Sequence, residues 1–343
     1  MENVPAAPPA SRVLPLLAAL PVGTESWLAE RAVESCIHVR RSREADIARL
    51  GRILTGRAIA VVLSGGGAKG FAHLGVLRAL GERGIPVDMI GGTSMGSVIA
   101  AGYAMSIQPR ELTALSKRLF ATHKPFREYT LPLVSLLRGR RLDRMLREQT
   151  GETRIEDLRI GYFCVSTDLT AAEPHIHTSG CLFTAVRSSI AIPGILPPVV
   201  EGDRLLVDGG VVNNLPADAM RQLCRGKLIA VDVAPKRDVE LGPGFSEYPS
   251  PWQVLWNRLW PFGGRRRIQA IPQIMARTTM LSSIHRVNAV KTGADYYLRP
   301  PVEQFGMLEF DAIDRIVESG YRYALESTEG WGSLGTGPTP PPA

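Results

Sequence analysis

The chain has 343 residues, of which 45% are hydrophobic, and a mean hydropathy of +0.02, ordinary values for a globular protein with a substantial core in one large or two modest domains. Forty basic against 33 acidic residues give a net charge of +7 and an isoelectric point near 9.4, which suits either simple solubility or attraction to an anionic surface such as phospholipid or nucleic acid. No apolar run approaches the roughly 20 residues that a membrane-spanning helix needs.

In chain order, residues 1 to about 12 are rich in Pro and Ala and read as disordered. Val13 to Val22 is apolar but broken by Pro15 and Pro21, without the basic start or cleavage site of a signal peptide. Residues 25–54 read as helical, with Ile47, Leu50, Ile53 and Leu54 at helical spacing and Arg40, Arg41, Arg43, Glu44, Asp46 and Arg49 on a solvated face. Ala58 to Leu63 is a buried strand that runs into Ser64-Gly65-Gly66-Gly67-Ala68-Lys69-Gly70 and then a helix from Phe71 to Leu80. Pro86 to Gly91 is the second strand, followed by helices near Ser97–Ala104 and Pro109–Phe120. Arg138, Arg140, Arg141, Arg144 and Arg147 interleave with Leu142, Met145 and Leu146 as an amphipathic helix. Further strands are expected at Ile160–Thr167, Pro174–Thr178, Arg204–Val207, Leu228–Val233 and Ala294–Leu298, with helices at Leu182–Ile190, Pro216–Leu223 and Leu308–Leu325. Strands that alternate with helices, many of them apolar throughout, predict an α/β fold with a mainly parallel central sheet covered by helices on both faces. The segments divide as an N-terminal extension with a helical arm over 1–57, a core over 58–222, its completion over 223–328 and a flexible tail over 329–343. Cys36, Cys164, Cys181 and Cys224 are scattered without a C-x-x-C, so neither a disulfide framework nor a zinc site is expected, and a reducing compartment is the default.

Gly92-Thr93-Ser94-Met95-Gly96 is a G-x-S-x-G sequence between a strand and a helix. Such a turn lifts the serine hydroxyl clear of the sheet and aims a helix N-terminus at it, so Ser94 is the candidate nucleophile. Its glycines, Gly92 and Gly96, serve close packing of strand and helix. The loop Gly65 to Gly70 fails as a Walker A motif because Phe71 and Ala72 follow Gly70. It formally matches a dinucleotide fingerprint at Gly65, Gly67 and Gly70, but the acidic residue that would bind ribose is misplaced, since Asp88 lies early in the next strand. Its third reading is an oxyanion hole, with the Gly66 and Gly67 amides as the best donors and Lys69 either adding charge or holding the loop. An exposed lysine at a helix start is the plainer reading of Lys69.

Ser94 needs a base. Of the six histidines, His285 lies after Asp208 in the order of a Ser–Asp–His triad, yet nothing around it is distinctive, and His73 reads as a packed residue one turn beyond the glycine loop. Asp208 closes a strand and is followed by Gly209-Gly210, which puts its carboxylate at the sheet edge where ligands of open α/β sheets bind. As a plain turn, D-G-G would need no function.

Three segments in this order, Gly65–Gly70, Gly92–Gly96 and Asp208–Gly210, resemble the patatin-like phospholipases. The likeness extends to Arg187-Ser188-Ser189-Ile190, to Pro193–Pro198 and to Asn213-Asn214-Leu215-Pro216, and is greatest to the esterase domain of neuropathy target esterase and its bacterial relatives. There it includes the lead-in Leu54-Thr55-Gly56-Arg57 and the strand end Thr167-Asp168-Leu169-Thr170. The resemblance implies a three-layer α/β/α fold and a Ser94–Asp208 dyad without histidine, with Gly65, Gly66, Gly67 and Lys69 around the oxyanion and Gly70, Gly209 and Gly210 as motif glycines. It also implies fatty-acyl ester substrates, notably lysophospholipids, and neither cofactor nor metal. Larger members carry a transmembrane segment and cyclic-nucleotide-binding domains that are not read in this chain, so nucleotide regulation is not carried over.

Trp252, Trp256 and Trp260 recur at helical spacing and are followed by Arg265, Arg266 and Arg267. A stripe of this kind ordinarily packs on a core. The alternative is a peripheral contact with lipid headgroups at the inner membrane surface of a cytoplasmic protein, for which the basic run Arg138–Arg147 is a second candidate. No motif supports nucleic-acid binding.

Overall fold

The computed structural model describes residues 20–30, 36–40, 42–234 and 293–334. Five strands, β1 (Ile59–Leu63), β2 (Met89–Thr93), β3 (Gly161–Asp168), β7 (Lys227–Val231) and β8 (Tyr296–Leu298), form a parallel core in the order β3-β2-β1-β7-β8. Three antiparallel strands complete the eight-stranded sheet: β4 (Glu173–His177) and β6 (Arg204–Asp208) both pair with β3, and β5 (Val199–Glu201) pairs with β6.

Alternate residues of β1 feed two separate cores, as a strand's two-residue period requires. Ile59, Val61 and Leu63 join the larger cluster with α3 (Ala72–Glu82), α4 (Met95–Ala104) and α9 (Ile313–Ser327). Ala60 and Val62 join a smaller one with α8 (Ala217–Leu223) and Ile53 of α2 (Glu44–Leu54). The fold is therefore a mixed, mostly parallel sheet with helices on both faces. Among the described residues, no helix is long and apolar enough to cross a membrane.

The register of β3 decides where the site lies. Residues 161–165 of β3 pair with β2, and residues 166–168 pair with β6. β4 spans 164–168 and overlaps both, so it must take the opposite edge. β2 and β6 thus share one edge of β3 and arrive from opposite directions. Thr93 faces Val165, Asp208 faces Ser166, and the two chain ends meet head-on.

Several elements depart from the sequence expectation. The second strand runs to Thr93 rather than Gly91. The expected helix over 25–54 is two helices, α1 (Thr24–Ala29) and α2, with residues 36–40 in neither helix nor strand. The charged face of α2 is its inner one: Asp46 and Arg49 are buried, whereas Ile47 and Leu54 are 52% and 74% exposed. Asp46 takes the backbone N–H and guanidinium of Arg40, and Arg49 donates to the His38 carbonyl, so each buried charge is paired. Arg52, one turn further, grips the fully buried Asp88, which also accepts the Ile59 N–H. The tryptophan stripe and its arginines, together with His285 and the tail from 335, lie outside the described residues.

Candidate active site

Ser94 stands between β2 and α4 with φ 53° and ψ −126°, a backbone conformation that costs a non-glycine residue energy and persists only where its surroundings impose it. Here the Ser94 N–H donates to the Ser189 hydroxyl at 3.0 Å, and that hydroxyl donates to the Val165 carbonyl at 2.7 Å. On the C-terminal side, the Ser97 hydroxyl donates to the Ser94 carbonyl at 2.7 Å. Thr93 is tied to the Asn213 carbonyl at 2.8 Å. The turn also needs α4 to start against β1: a Cβ on Gly92 or Gly96 would come within 2.5 or 2.3 Å of the Leu63 carbonyl oxygen.

Asp208 ends β6 directly opposite. The Ser94 hydroxyl donates to its Oδ2 at 2.7 Å, and the Gly210 N–H donates to its Oδ1 at 2.7 Å. The main chain of Asp208 is fixed as well, its N–H donating to the Ala191 carbonyl and its carbonyl accepting from the Thr167 hydroxyl. Both side chains are buried. Loss of water raises the Asp208 pKa from 3.8 to about 7, against the pull of the two hydrogen bonds. The sheet-edge expectation for Asp208 holds by a different route from the parallel-strand rule, because β6 is antiparallel. Its end reaches the crevice only because β3 outruns β2 by three residues, 166–168.

No histidine among the described residues bonds to Ser94 or Asp208. His73 is fully buried with Nε2 on the Ser64 carbonyl at 2.9 Å, and burial depresses its pKa to about 4, so it is neutral packing. His177 is buried with its Nε2 beside the Ser166 and Ser188 hydroxyls. Together with His175 and Glu201 it forms the one group among the described residues whose ligand-type atoms all lie within 4.8 Å of one another.

The glycine loop lies beside the elbow, since a Cβ on Gly65 would fall 2.9 Å from the Ser94 Cβ. The Gly65 N–H is already committed, donating to the Asn214 carbonyl at 3.1 Å, and the Asn214 side-chain amide donates back to the Gly65 carbonyl at 3.1 Å. Gly66 and Gly67 donate to no acceptor among the described residues. Gly67 has φ +57° and presses on the Met307 carbonyl, which accepts the Ala68 N–H at 2.8 Å. Lys69 is fully buried in a crevice beside Asp232, Val233 and Arg299, which removes the exposed-lysine reading. The carboxylate of Asp88, already misplaced for a dinucleotide fingerprint, is also spent on Arg52 and the Ile59 N–H.

The positioning work of Ser189, Asn214 and Ala191 was not readable in advance, although Ser189 and Asn214 stand in segments that carry the family resemblance. A serine in an apolar helix or an asparagine in a turn gives no sign of which distant backbone group it will hold.

The family model for patatin-like phospholipase matches residues 61–221. Lysophospholipase NTE1 of Mycosarcoma maydis is 39% identical over 305 residues, 88% of this chain and 16% of that protein. Patatin-like phospholipase domain-containing protein 6 of Homo sapiens is 37% identical over 299 residues, 85% of this chain and 22% of that protein. Neuropathy target esterase sws of Drosophila melanogaster is 36% identical over 302 residues, 85% and 21% respectively. The chain thus spans 16–22% of the length of these curated relatives. The crystal structure of VipD from Legionella pneumophila aligns with 80% of this chain and 67% of its own at a TM-score of 0.43 and 14% identity. With its family-model match and its likeness to the neuropathy target esterase group over most of its length, the chain belongs to the patatin-like phospholipases.

Proposed function

We propose that this chain hydrolyses fatty-acyl esters, with lysophospholipids as the principal substrates, through a Ser94–Asp208 dyad. The observation that carries it is the 2.7 Å hydrogen bond from the Ser94 hydroxyl to the buried Asp208 carboxylate. Asp208 takes the hydroxyl proton as the Ser94 oxygen attacks the ester carbonyl. The Gly66 and Gly67 amides, for which the described residues hold no acceptor, receive the negative charge that forms on the carbonyl oxygen. With the Gly65 amide engaged, its part is to shape the loop. Asp208 returns the proton to the departing alcohol, leaving an acyl group on Ser94. It then accepts a proton from water, whose oxygen attacks the acyl-enzyme and releases the fatty acid while Ser94 recovers its proton. Peripheral contact with a lipid surface belongs to the same proposal.

The names of the relatives support the substrate class, one being a lysophospholipase and the others phospholipase-domain or esterase proteins. A panel of lysophospholipids, phospholipids, monoacylglycerols and p-nitrophenyl esters tests it. Turnover of lysophospholipid that disappears in Ser94→Ala is the expected result. Turnover that survives in Ser94→Ala, or none on any ester, contradicts the proposal.

A further inference from the structure

Residues 129–137 carry no charge, yet five of them, Tyr129 and residues 131–134, are exposed, while Ser135 and Leu137 are buried. They form a narrow hairpin, closed by the Tyr129–Leu137 bridge and by the Thr130 N–H on the Leu136 carbonyl. Tyr129, Leu131, Leu133 and Val134 are 72%, 78%, 89% and 70% exposed. Four large apolar side chains exposed within six consecutive positions make a patch, and such a patch marks an interaction site. Arg127 and Arg138 flank the hairpin, and Arg140, Arg141 and Arg144 follow on α6 (Arg140–Thr150), all five of them exposed. The inner side of α6 is spent on the core through Leu142, Met145 and Leu146, so its arginines face water.

We propose that this hairpin is the docking element for an anionic phospholipid bilayer, with Leu131, Leu133 and Val134 entering the acyl boundary and the arginines lying at the headgroup phosphates. Apolar tip and guanidinium collar match the two layers of a membrane interface in order. A second copy of the chain is disfavoured as the occupant, because both copies would bring the same positive collar to the contact. The hairpin is also anchored next to the reaction site. Its Leu136 and Leu137 amides donate to the carbonyls of Gly194 and Ile195, in the same segment whose Ala191 carbonyl holds the Asp208 N–H. Docking therefore brings lipid to the segment that positions the proposed base. The proposal rests on the lipid-ester reading for its purpose, but its readout is independent of hydrolysis.

The test is co-sedimentation of the full chain with phosphatidylcholine vesicles and with mixed phosphatidylcholine–phosphatidylglycerol vesicles. Binding to the mixed vesicles is expected, weakening as salt is added. The doubles Leu131→Ser/Leu133→Ser and Arg140→Glu/Arg144→Glu should each weaken it by about tenfold or more. All four positions are surface ones, so circular dichroism and turnover of a water-soluble p-nitrophenyl ester should be unchanged. A wild-type chain that ignores mixed vesicles, or a leucine double that binds them as tightly as wild type, overturns the proposal. So does a wild-type dimer in analytical ultracentrifugation that the leucine double dissolves, since the occupant is then protein. If the soluble ester is not turned over by wild type, the hydrolase reading falls while the vesicle result still decides the hairpin.

Discussion

Burial holds the Asp208 carboxyl protonated up to about pH 7, and two consequences of opposite kind follow. As a base it works only when ionised, so kcat/KM for an uncharged ester should rise with pH and level off above about 7. Asp208→Asn keeps the shape of the side chain and removes the base, and should lower activity by about 10²- to 10⁴-fold at every pH. Stability moves the other way. Between the ordinary value of 3.8 and about 7 the folded chain retains a proton that the unfolded chain has lost, so this group's contribution falls as pH rises through that window. Asp208→Asn escapes that loss, and its melting temperature relative to wild type should be higher at pH 8 than at pH 5. A difference independent of pH contradicts the raised pKa. The motif residues Ser94, Asp208, Gly92 and Gly96 were legible in the sequence because each sits at a chain break between apolar runs. The burial of Lys69 was not, since nothing local distinguishes it from the many lysines that face water.

Helix α2 shows where pattern reading fails. Helical spacing of Ile47, Leu50, Ile53 and Leu54 pointed to an apolar inner face, but the face toward the domain carries Asp46, Arg49 and Arg52 beside Ile53, while Ile47 and Leu54 are exposed. Charges can take that place only because each finds a partner far away in sequence or in the residues just before the helix, and such pairings leave no periodic trace. Removing one partner exposes the cost. Arg52→Ala leaves the Asp88 carboxylate buried beside a lost guanidinium, and should destabilise by about 3 kcal/mol or more in urea unfolding. Arg110→Ala, which breaks a contact of Glu82 on the surface, should cost less than about 1 kcal/mol. Equal, small effects would mean that the Arg52–Asp88 pair does not fasten α2 to the sheet. The alternation of strands and helices, by contrast, was readable, because strands buried on both faces are apolar throughout and stand out from amphipathic helices.

Across the whole molecule, the decisive feature is a difference in strand length. β3 outlasts β2, and the free portion of its edge accepts β6 from the opposite direction, so residues 114 positions apart end face to face. The apolar run that becomes β3 was visible in the sequence, but strand order, the reversal of β6 and the short β5 depend on pairings between distant segments that no local pattern encodes. The Ser94–Asp208 dyad is tested by intact-protein mass spectrometry, with peptide mapping, after reaction with a fluorophosphonate. One covalent adduct on Ser94 is expected, absent in Ser94→Ala and formed far more slowly in Asp208→Asn. An adduct on another residue, or labelling of Asp208→Asn at the wild-type rate, would contradict it.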